Sequence, residues 1–160
     1  MMSIRRNSRG FSLIELVIVV VIIGIIAAIA IPRMSRGAAG AADAALSGNL
    51  TVLRNAIDLY HTEHGGTEKD YPTVANFVAQ LTTFSDLAGA TATSKDATKI
   101  YGTYLAAVPP LPVGTKRGQT GVAAAIGAAV GWVYDDSTGA IKAGLADDET
   151  DAGGKAYNLY

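Results

Sequence analysis

Residues 10–32 read Gly10-Phe11-Ser12-Leu13-Ile14-Glu15-Leu16-Val17-Ile18-Val19-Val20-Val21-Ile22-Ile23-Gly24-Ile25-Ile26-Ala27-Ala28-Ile29-Ala30-Ile31-Pro32, and this stretch decides the fold. From Phe11 to Ile31 there are 21 residues, with Glu15 the only charge among them. From Leu16 onward the run holds no charged, amide or hydroxyl side chain. As a helix it spans about 32 Å, the thickness of a bilayer's hydrocarbon core. It is apolar on every side, and a chain of 160 residues has no core large enough to surround it. The stretch therefore predicts a transmembrane helix.

Its flanks orient it. Arg5, Arg6 and Arg9 precede the run with no acid among them, and Arg33 and Arg36 follow. The larger basic flank predicts a cytoplasmic N-terminus. A cleaved secretory signal has a shorter apolar region with no charge in its first turn, so this run reads as retained. Glu15 sits near the cytoplasmic end, and an ionised carboxylate inside a bilayer costs about 2.5–3.5 kcal/mol. It either reaches the interface as a tolerated boundary charge or meets a positive partner in the membrane. Gly24 permits close helix approach, and Pro32 removes a backbone donor.

Beyond Pro32 the pattern becomes amphipathic. Leu46, Leu50, Leu53, Ile57 and Tyr60 form one helical stripe, with Ser47, Asn49, Arg54, Asn55 and Asp58 off it. Gly65-Gly66 stops the helix. One long helix is expected from about Phe11 to His64: an apolar half over 11–35 and a stem over 36–65. A head follows over 66–160. In it, Thr73 is expected to cap a short helix whose apolar face is Val74, Phe77, Val78 and Leu81. Residues 85–99 read as loop, and Pro109, Pro110 and Pro112 exclude a regular helix or central strand. Gly131–Tyr134 and Ala140–Ala143 flank Asp135–Gly139 as a β-hairpin, with Trp132 and Tyr134 on the face turned to the stem. Residues 121–131, nearly all Gly, Ala, Val and Ile, leave strand, helix and loop open. The fold class is α+β: a long N-terminal helix packed on a small head with a short antiparallel sheet.

Composition narrows function. Thirteen basic against fourteen acidic residues, a formal net charge of −1, excludes bulk electrostatic binding of nucleic acid. Cysteine is absent, so disulfides, thiolate catalysis and cysteine-ligated metals are excluded. No phosphate loop, zinc motif or Ser/His/Asp pattern argues for an enzyme. His61 and His64 share a helix face without a third ligand and read as solvated helix-end residues. The run Asp147-Asp148-Glu149-Thr150-Asp151 has the oxygen density of a calcium site, but its spacing matches no EF-hand and a solvated acidic tail is the preferred reading.

Gly10-Phe11-Ser12-Leu13-Ile14-Glu15-Leu16 ahead of the apolar run resembles the N-terminus of type IV pilins and type II secretion pseudopilins. The basic leader ending in Gly, the following Phe, and Glu five positions after the Gly agree in one register, and Gly24 and Pro32 fit the same pattern. Tyr101-Gly102-Thr103-Tyr104-Leu105 leading to the prolines is similar to the middle of major pseudopilin heads, without their Asp-Pro-Trp-Gly. The resemblance implies that residues 1–10 are a leader removed by a prepilin peptidase between Gly10 and Phe11, and that Phe11 is then N-methylated. It implies that Glu15 pairs with the Phe11 amine of a neighbouring subunit, with Gly24 and Pro32 serving assembly. It implies a homo-oligomeric filament with other pseudopilins, built at an inner-membrane platform driven by a separate ATPase. The subunit would wait in the bacterial inner membrane with a periplasmic head. No cofactor is implied except calcium, for which Asp147, Asp148, Glu149 and Asp151 are the candidate ligands. Because many type IV pilins close a C-terminal loop with a disulfide, the missing cysteines favour the pseudopilin. A type IV pilus subunit and a non-polymerising membrane-anchored module are the alternatives.

Overall fold

The computed structural model describes residues 11–67 and 70–160, with the backbone alone over 30–36. The chain divides into two compact units, residues 1–38 and 39–160. Helix α1, Leu13–Glu63, contributes to both.

In the first unit α1 starts where Leu16 N–H donates to Ser12 O at 3.2 Å. Its large apolar side chains face outward all round; Val17, the least exposed of them up to Ile29, still shows 45 % of its surface. The backbone stays helical through Pro32. Among the described residues no helix is long and apolar enough to cross a membrane. The apolar run is described with its side chains only as far as Ile29.

The second unit holds the core. The expected stripe is buried: Leu46, Leu50, Leu53, Ile57 and Tyr60 are each at most 2 % exposed, and Ala56 joins them. Burying a residue of this kind is worth roughly 1.5–3 kcal/mol. Gly65 and Gly66, at φ +124° and +72°, end α1 in the left-handed region. Gly66 N–H closes the last turn on His61 O at 2.9 Å. The expected short helix splits in two: a 3-10 turn, Val74–Asn76, and helix α2, Phe77–Thr82. Thr73 makes no side-chain cap. Its backbone N–H is taken instead by Gln80 Oε1 at 2.8 Å. Phe77 and Leu81 enter the core, but Val78 is half exposed, because a helix this short turns only one edge inward.

The stretch 85–99, read as loop, instead takes part in a two-stranded hairpin of β1 (Phe84–Ser85) and β2 (Thr91–Ala92). Asp86 shapes its turn, accepting from the N–H groups of Ala88 and Ala90, both at 3.0 Å. The main sheet has the order β3 (Gly121–Ala123), β4 (Val130–Tyr134), β5 (Ile141–Ala143). β4 and β5 form the expected antiparallel hairpin, pairing Trp132 with Ala143 and Tyr134 with Ile141. β3 instead runs parallel to β4. Parallel neighbours ordinarily need a long crossover. Glycine permits the tight return here: a Cβ on Gly121 would stand 2.2 Å from Ala129 O, and one on Gly131 2.3 Å from Gln119 O. Both outer strands are three residues long. β3 lies against the Val74–Asn76 turn, and β5 against a second 3-10 turn, Tyr157–Leu159.

Trp132 and Tyr134 are fully buried in one cluster with the stem stripe, Phe77, Leu105 and Leu111. The prolines supply acceptors: Trp132 Nε1–H donates to Pro109 O at 2.8 Å, and Asn49 Nδ2–H to Pro110 O at 3.0 Å.

Candidate functional site

The segment around Phe11 is the first place to look for function. Gly10 and the basic leader lie outside the described residues. Phe11 and Ser12 precede the helix, and Phe11 is 80 % exposed. Glu15 stands in the first turn, and its Oε2 accepts the Ser12 backbone N–H at 3.0 Å. That is the reach-back of a capping box, in which an acid three residues after a serine satisfies one orphan donor of the helix start. The Ser12-x-x-Glu15 spacing is the sequence signal for this cap. One carboxylate therefore both caps its own helix and remains exposed to a second charge. Gly24 has open space around it, and the Pro32 side chain lies outside the described ones.

In the head the polar groups tie one another. His64, expected to be solvated, is 4 % exposed. Its ring stacks on Tyr60 at 3.8 Å, with Nδ1 at 2.8 Å from Tyr60 O and Nε2 at 3.1 Å from Ser85 Oγ. With Nδ1 donating to the carbonyl, Nε2 is left to accept from the serine. The two histidines part ways: His61 stacks on Tyr71 at 3.9 Å and approaches Thr67 O at 2.9 Å. Tyr60 and His64 are a helical i, i+4 aromatic pair, the one sequence signal that pointed inward. A cleft of about 130 Å³ opens beside Tyr60, His64, Asp70, Tyr71 and Gln80. Gln80 is bound on both sides, accepting from Thr73 and donating to Gly89 O at 3.0 Å. Burial pushes the Tyr60 phenol up to about 12, with Asp86 and Asp70 adding repulsion. The Tyr104 phenol is raised further by burial and by the Glu63 carboxylate, to which it donates at 2.6 Å.

The four acidic residues proposed as calcium ligands do not converge. Glu149 accepts from Thr115 through both oxygens, at 2.7 and 3.0 Å. Asp147 accepts from Asn158 Nδ2. Asp151 accepts the N–H groups of Gly153 and Lys155 at 2.7 and 2.9 Å, and the Tyr160 hydroxyl. Among the described residues no group of three or more His, Cys, Asp or Glu is placed to hold a metal. Calcium takes six to eight oxygens around one point, and this set does not fit it.

The family model for the prokaryotic N-terminal methylation motif matches residues 5–31. No curated protein and no solved structure matches the chain. The matched segment takes in Gly10, Phe11 and Glu15, so the motif and the capped helix start coincide. The chain thus carries the prokaryotic N-terminal methylation motif, the hallmark of type IV pilin-like proteins, on the first helix of an α+β pilin-like fold.

Proposed function

We propose that this protein is a structural subunit of a type II secretion pseudopilus. A prepilin peptidase removes residues 1–10, Phe11 becomes the N-methylated first residue, and the subunit assembles through its N-terminal helix into a filament that supports protein export. The observation that carries this reading is the methylation motif over residues 5–31. The exposed, non-helical Phe11-Ser12 stretch supports it, since a peptidase needs backbone not yet locked in a helix. The helix's all-round apolar surface supports it too. That surface requires an apolar medium, a bilayer before assembly and neighbouring helices after it. The run continues in sequence to Ile31, long enough for an inner-membrane anchor with a periplasmic head. Freeing the Phe11 amine sets a cation beside the entry of the helix, where Glu15 of a neighbouring copy is its partner, because a buried pair costs less than either ion alone. The absence of cysteine and the proline-bearing Val108–Pro112 stretch favour the pseudopilus over the pilus.

The test is N-terminal sequencing and intact mass of the membrane-extracted protein, paired with deletion of its gene. A chain starting at methylated Phe11, with loss of exoprotein secretion on deletion, supports the proposal. A methylated Phe11 with loss of long surface filaments and normal secretion makes it a type IV pilus subunit. A chain starting at Met1 overturns filament assembly altogether.

A further inference from the structure

The C-terminal acidic loop poses a question that filament type does not answer. Four carboxylates within five residues repel one another unless something gathers them, and the calcium cage that would do so is not formed. The donors come from the chain itself. Thr150 and Ala156 form an antiparallel bridge that folds the loop back. Tyr157 N–H then donates to Glu149 O at 3.0 Å. This return brings Asn158 onto Asp147 and the Tyr160 hydroxyl onto Asp151. Lys155 Nζ sits 3.9 Å above the Tyr160 ring, a cation–π contact that packs the return of the loop. The closed loop is also fixed to the stem. Arg54 Nη2 donates to Tyr160 O at 2.6 Å, and Tyr157 Oη to Asp43 Oδ1 at 3.1 Å. From the other side Thr115 engages both oxygens of Glu149. Gly114 beside it has φ +70°, and a Cβ there would stand 2.6 Å from both Glu149 Oε2 and Leu145 Cδ1, so both side chains would have to shift.

We propose that residues 147–160 form a metal-independent latch, in which Thr115, Asn158 and Tyr160 satisfy the Glu149, Asp147 and Asp151 carboxylates that a divalent cation would otherwise gather. The latch holds for either filament type. It implies that the head folds and stays folded at any calcium concentration, so assembly is not gated by that ion.

The experiment is thermal unfolding of the full chain in detergent, in calcium chloride and in a chelator, for the native sequence and for Tyr160→Phe and Asn158→Ala. A site held at a hundred times its dissociation constant would raise the melting temperature by about 8 °C. The latch predicts a shift within about 1 °C for the native chain, and a fall of several degrees for each variant in either buffer. A calcium-dependent rise of several degrees that Asp147→Asn or Asp151→Asn abolishes overturns it. So do Tyr160→Phe and Asn158→Ala variants that melt with the native chain.

Discussion

Replacing Tyr134 by Phe should stabilise the head. The Tyr134 ring is fully buried and packs edge-on against Phe77 at 4.6 Å between centroids. Its hydroxyl is buried and has no hydrogen-bond partner. Burial pushes that phenol's pKa up, and Asp136 adds to the effect, so it stays protonated through the physiological range. An unmet buried polar group costs about 1–3 kcal/mol. Deleting the oxygen forfeits a few dispersion contacts of about 0.1–0.2 kcal/mol each. The balance favours Tyr134→Phe by about 1 kcal/mol. For a unit the size of residues 39–160 that is a rise in melting temperature of about 3–5 °C. Differential scanning fluorimetry reads it directly, with the single buried Trp132, two residues away on the same strand, as the reporter. A variant that melts at or below the native temperature refutes the reasoning, for it would mean that the hydroxyl is satisfied in solution.

Gly102→Ala should lower stability by more than 1 kcal/mol, seen as a lower urea midpoint. Gly102 has φ +93°, and a Cβ there would stand 2.5 Å from the Thr83 carbonyl oxygen, which is backbone and cannot swing aside. Stability should also fall between about pH 4 and pH 2. Backbone and hydroxyl donors hold Asp96 down at about 2 and keep Asp70, Asp86, Asp135 and Asp151 below their ordinary value. A carboxylate with a depressed folded-state pKa stabilises above its unfolded value and loses that contribution as the pH drops through the folded one. Melting temperatures across that range should slope downward, and Asp96→Asn should flatten part of the slope.

Much of the architecture was legible because its signals are local. The apolar run, the stripe from Leu46 to Tyr60 and the Gly65-Gly66 stop depend on helical period and backbone freedom alone. The Trp132–Tyr134 hairpin announced itself through alternation around an Asp- and Gly-bearing turn. What escaped depends on partners distant in sequence. The parallel pairing of β3 exists because two backbone segments pass too close for a side chain, and a run of small residues does not say which of them will meet. His64 looked solvated because Ser85, the residue that takes its second nitrogen, is 21 positions away. The carboxylates of the acidic loop looked free because Asn158, Tyr160 and Thr115 reach them only after the chain has folded back. At the N-terminus the motif itself was plain. The helix-capping duty of Glu15 is equally local, since the Ser12-x-x-Glu15 spacing sets it.

The short outer strands of the main sheet, each flanked by a 3-10 turn, bear on how copies of this protein coexist. An open strand edge is a template on which another chain can extend the ladder, and crowding makes such templates dangerous. Here the ladder ends within three residues on either side. Heads held at high local density therefore offer one another side chains rather than backbone, and contacts of that kind can be made and undone without refolding either copy.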